Sequence, residues 1–130
     1  MPIDLKSPQQ QIFDAVYAAS LKLGYATFDY LPANKVAYPF VFVGEQSDQD
    51  RRNKSIIYGD VQQTVHIYHN YKKRRELTTM MDKLKVSCRS LKRTENFYVT
   101  CKNITAQTIT DDSTADPLLH GILEVEFTFN

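Results

Sequence analysis

The sequence predicts an α+β fold: a mainly antiparallel sheet of four to five strands with two helices packed on one face. Three observations carry that expectation. Two stretches place apolar residues at helical spacing, and they come first and fifth in the order α-β-β-β-α-β-β. The strands fall in adjacent runs rather than alternating singly with helices, which disfavours a parallel sheet. The chain has 130 residues, 42% of them apolar and 24% charged, which suits one self-supporting core spanning residues 1–130.

The opening helix is expected over residues 8–23. Ser7 can cap it, Pro8 stands where a missing N–H is harmless, and Gln10 completes an S-x-x-Q capping box. Ile12, Phe13, Val16, Ala19 and Leu23 share a stripe, and Gly24 is placed to end it. Residues 25–30 alternate as a short strand, and the LPAN stretch that follows breaks it. Pro39 opens a buried strand, Phe40-Val41-Phe42-Val43. Residues 44–55 contain nothing apolar and are expected to form a long mobile loop, lacking burial to offset the ordering of their backbone.

Strand character resumes over residues 56–70. Val61, Gln63, Val65 and Ile67 share one face, with Gln62, Thr64, His66 and Tyr68 on the other. A second helix is expected over residues 72–91, its stripe formed by Leu77, Met80, Met81, Leu84, Cys88 and Leu91. Two strands close the chain. One begins at Phe97 and ends near Thr110. The other, over residues 122–129, alternates Leu123, Val125, Phe127 and Phe129 with Glu124 and Glu126, and DDSTADP turns between them.

Composition excludes several classes. No apolar run approaches the ~20 residues that span a bilayer, and residues 1–5 carry no signal-peptide pattern. Two cysteines without CxxC spacing make neither a disulfide scaffold nor a zinc finger. A soluble intracellular domain is expected. The net charge of +1 conceals a segregation: residues 51–93 hold twelve Lys/Arg against three acids, while the flanks hold four bases and twelve acids. Opposed regional charges suit contact with further copies of the chain better than general capture of a polyanion.

Candidate sites are few. His66 and His69 have opposite strand parity and should diverge, which argues against a metal pair, and His120 stands alone in sequence. Cys88 and Cys101 read as small core residues. Glu124 and Glu126 could serve as an acid–base pair, the sole basis for an enzyme reading, but a half-exposed strand looks the same. Asp111, Asp112 and Asp116 lack the spacing of a calcium loop. No P-loop, GxGxxG, GxSxG or HExxH occurs, so no enzyme and no cofactor or metal is expected.

The charged clusters carry more information. Lys72, Lys73, Arg74 and Arg75 open the second helix, where the macrodipole disfavours cations, so local stability does not explain them. Arg51, Arg52 and Lys54 lie beside Asp48 and Asp50. These nine residues, with Asp111 and Asp112, form the expected protein–protein interface. The alternative is a small nucleic-acid-binding module using the basic central region, with Tyr68 and Tyr71 as stacking residues, although no DNA- or RNA-binding signature accompanies them.

In order, the segments SPQQQIFDAVYAASLKLG, LPANKVAYPFVFVGEQ, QQTVHIYHNYKKRRELTTMMDKL and DDSTADPLLHGILEVEFTF resemble the tail-completion, or tail-terminator, proteins of long-tailed bacteriophages. The resemblance covers nearly the whole chain and rests on order, spacing and length. It implies a subunit that assembles as a hexameric ring on the tail tube, stops tube polymerisation and presents a surface for head-to-tail joining. The implied partners are further copies of the chain, the tail tube protein and a head-side connector protein, with DNA only passing through the lumen. The implied location is the virion tail, and the host cytoplasm during assembly. Ring-forming neck proteins of head completion have similar size and remain a second reading. The resemblance carries over no role for the Lys72–Arg75 run.

Overall fold

The computed structural model describes residues 6–33, 36–52 and 57–130. Its elements follow the expected order: α1 (Pro8–Lys22), β1 (Thr27–Phe28), β2 (Phe40–Arg52), β3 (Ile57–Asn70), α2 (Arg74–Ser90), β4 (Val99–Asp111) and β5 (Leu118–Phe129). Ser7 caps α1 as its sequence predicts, Oγ accepting the Gln10 N–H at 3.1 Å. The reciprocal half of the capping box is absent, because the Gln10 amide donates to Asp14 instead, at 2.8 Å. Gly24 follows the helix with φ +92, a left-handed conformation that glycine adopts without a Cβ clash.

The five strands form one sheet in the order β1-β2-β3-β5-β4. The four long strands alternate direction, whereas β1 runs parallel to β2 through Thr27↔Val41 and Phe28↔Phe42. The sheet is therefore mixed. The 11-residue connection between β1 and β2, carrying Pro32 and Pro39, is long enough to return the chain for a parallel pairing.

Both helices cover one face. Val61, Val65 and Ile67 of β3 and Leu123, Val125, Phe127 and Phe129 of β5 point toward them and are buried, together with Val41 and Val43 of β2. From α1 come Ile12 and Val16, and from α2 come Leu77, Met80, Met81, Leu84 and Cys88. α2 packs tightly over Gly121, where a Cβ would lie 2.7 Å from Met81 Sδ. The second face, lined by Phe42, His66, His120, Ile122, Glu124 and Glu126, has no helix of the described residues over it.

The largest departure from the sequence reading concerns residues 44–55. Residues 44–52 are not loop but the second half of β2, paired with β3 from Gln46↔Gln63 to Arg52↔Ile57. A strand beside an existing strand is held by backbone hydrogen bonds and needs no apolar side chains of its own, so the lack of burial did not decide its conformation. Residues 53–56, including Lys54, lie outside the described residues.

Polarity enters at a β-bulge. The register shifts between Val43 and Gln46, leaving carbonyls of the bulged residues without ladder partners. The fully buried Gln63 reaches them: its Nε2 donates to the Gly44 and Glu45 carbonyls at 3.2 Å each, and its Oε1 accepts from Gln46 at 3.0 Å. Gln46 also donates to the Gln9 carbonyl of α1 at 2.9 Å, and Gln9 hydrogen-bonds Asp50. The start of α1 thus lies over the polar half of β2.

Candidate functional site

The residues expected at an interface do not form one patch. Asp48, Asp50 and Arg51 sit in the distal half of β2, level with Val61, Gly59 and Tyr58 of β3. Arg52 ends that strand. Lys72 and Lys73 lie in the turn after β3, while Arg74 and Arg75 are the first two residues of α2; all four are exposed. Asp111 ends β4 and Asp112 follows it, at the same end of the sheet as that turn. Ten residues of β3 separate Asp60 from Asn70, so the two groups stand about 33 Å apart along the strands. The expected interface residues are divided between opposite ends of the sheet.

At the hairpin end, Arg51 pairs with Asp60 at 3.4 Å on the uncovered face. A shallow depression of about 610 Å³ opens there, lined by Arg51, Tyr58, Asp60, Tyr98 and Thr100. Tyr98 is largely exposed and carries the Arg93 guanidinium over its ring at 5.1 Å from the centroid. Gly59 is required for this hairpin. A Cβ there would lie 2.2 Å from the Gln49 carbonyl oxygen, a clash with backbone that no side-chain rotation relieves.

At the other end, Lys73 occupies the cap position of α2 without any side-chain cap bond. The first turn is held instead through Glu76, which accepts from Nε2 of the buried His69 at 2.6 Å. His69 Nδ1 accepts the Asn70 N–H at 2.8 Å, fixing its proton on Nε2. The cations of the turn are exposed around this anchor and take no part in it.

Sequence reasoning missed one grouping. His120 is not isolated: its Nε2 lies 2.7 Å from Nδ1 of His66, whose Nε2 lies 2.6 Å from Glu45 Oε1. With Glu45 ionised, His66 donates to it from Nε2 and accepts the proton of His120 at Nδ1. His120 also stacks on Tyr68 at 4.3 Å between centroids, and His66 stacks on Phe42 at 5.3 Å. Burial, then the neighbouring His66, lowers the His120 pKa below the ordinary histidine value. A backbone hydrogen bond within Glu45, then the His66 contact, lowers the Glu45 pKa. The signal lay in cross-strand register, since Tyr68 is directly opposite His120.

The cysteines behave as expected. Both are free, and burial raises the Cys88 thiol to about 12 and also raises Cys101, so neither is a ready nucleophile. Glu124 accepts from Gln62 at 2.7 Å and has no acid–base partner among the described residues. No group of three or more metal-ligating side chains occurs among the described residues.

No protein-family model matches the chain, and no curated protein matches its sequence. Solved structures do match its fold. A chain of the virion of a native gene transfer agent particle superposes with TM-score 0.64 over 95% of this chain and 96% of its own, at 11% identity. A second solved chain, whose name states no function, gives TM-score 0.55 over 95% and 97%, also at 11% identity. At these identities the likeness is one of fold.

Proposed function

We propose that this protein is a structural subunit of a phage-type virion, acting as a ring at the end of the tail tube that stops tube growth and receives the head. The observation that carries the proposal is the likeness, end to end on both chains, to a component of a gene transfer agent virion. The tail-terminator resemblance of the four sequence segments supplies the position in the particle. The site geometry supports a non-enzymatic role: the cysteines are unreactive, the carboxylates of β5 have no acid–base partner among the described residues, and His66 and His120 are stacked into a sheet face. The partners on this reading are further copies of the chain, the tube subunit below and a connector protein above. The placing of separate charged groups at the two ends of the sheet fits a subunit with different neighbours at each end.

The test is assembly without this chain. Particles produced in its absence should consist of filled heads and separate tails of uncontrolled length, and adding the purified chain should restore joining. Particles of normal length and infectivity made without it would overturn the proposal.

A further inference from the structure

Among the described residues, the sheet ends in two edges without strand partners. On one side β1 covers only Val41 and Phe42, leaving the distal half of β2 free along its outer edge. On the other, β4 is paired only with β5, and beyond the Val99 N–H, taken by the Lys92 carbonyl at 2.9 Å, its outer edge has no strand against it. Edges of this length are normally blunted or paired, because each presents a row of unused backbone donors and acceptors.

Resting on the ring reading above, we propose that the outer edge of β4 pairs with the free edge of distal β2 in a second copy of the chain, so that one sheet continues from subunit to subunit. Direction favours this. β2, β3, β5 and β4 alternate, so β4 runs opposite to β2, and a second copy in the same orientation brings its β2 antiparallel to β4. Height favours it too. Asp48 is level with Val61, Phe127 and Cys101 in successive strands, and Asp50 with Gly59, Phe129 and Val99. Continued without offset, the sheet sets residues 101–104 of β4, beyond the segment held by Lys92, level with residues 46–48 of the neighbour.

Charge distinguishes this partner from others. Lys102, the one Lys or Arg after Arg93 in the sequence, stands in the bulge of β4 and is exposed. Arg89 and Lys92, also exposed, lie near Cys101 and add to a positive field at that end of the edge. Across the joint stands Asp48, exposed, flanked by Asp50, which Gln9 engages. A lysine on an edge discourages arbitrary strands and admits one that carries carboxylates. Pairing β4 with another β4 would leave distal β2 uncovered. Its one carboxylate, Asp111, is already engaged by the Ser113 N–H at 2.9 Å. Head-to-tail pairing joins the start of one edge to the free half of the other in a single repeated contact, short of the level of Val41 and Phe42 that β1 covers.

The experiment uses the purified full chain, with association followed by sedimentation across a wide concentration range at low and high salt. Wild-type chain should form species larger than dimers. Lys102→Asp and Asp48→Lys should each weaken association by about tenfold at low salt, and less at high salt, by setting like charges together. The double variant should regain association to within about twofold of wild type. Amide exchange along β4 should slow on assembly. Unchanged association in both single variants, a loss confined to Lys102→Asp, or a wild-type chain that stays monomeric throughout would each overturn the edge pairing. None of these results touches the virion reading, which the particles made without this chain test separately.

Discussion

Gln63 lies in the apolar face of β3, yet its amide meets the carbonyls of residues 44 and 45 and the Gln46 side chain. Leucine would keep the bulk and orphan those groups. Gln63→Leu should lower stability by about 1–3 kcal/mol in denaturant unfolding, the range for a buried polar group left unpaired. The exposed neighbour changed likewise, Gln62→Leu, should stay within about 0.5 kcal/mol. Gly59→Ala should also destabilise, since the hairpin strands must part to relieve the 2.2 Å approach. The histidine stack sets a pH dependence. His120 binds its proton less readily folded than unfolded, so the folded chain holds fewer protons below the ordinary histidine value near 6.5 and stability falls as pH drops through that window. Glu45 and Asp111, both lowered in pKa, add a further loss at more acid pH. Melting temperatures measured between about pH 7.5 and pH 5.5 should therefore fall, and His120→Asn should flatten that decline.

Most elements were legible because a pattern and its boundary chemistry agreed. Ser7, Pro8 and Gly24 bracket α1, and the stripes of α2 and β5 match the residues that are buried. Distal β2 was not legible, since composition reports burial and this segment is held by pairing with β3 and by a bulge that Gln63 serves. The strand at β1 was legible in the alternation of residues 25–30, but its parallel direction was hidden, because so short a strand fixes no register in sequence. The division of the charged residues between the two ends of the sheet needed the register, which no single strand's sequence contains. Arg74 and Arg75 lie against the helix dipole and make no ion pair or side-chain hydrogen bond among the described residues. Arg74→Glu with Arg75→Glu should leave the melting temperature unchanged or slightly raised, while impairing assembly into particles. A folding defect would show that these residues serve the subunit rather than its neighbours.

The molecule as a whole is a sheet clad on one side only. Its helical face is closed by apolar packing, and its uncovered face carries polar, acidic and aromatic side chains. Among the described residues, two unpaired edges and two charged ends give it four distinct boundaries, which suits a subunit with neighbours on several sides better than an isolated domain. The position of those neighbours is directly observable. Electron microscopy of the intact particle, reconstructed at the junction of head and tail, should reveal one closed ring of copies of this chain at the head-proximal end of the tube. A particle in which this chain is absent from the junction, or is found elsewhere without forming a ring, would contradict the assignment.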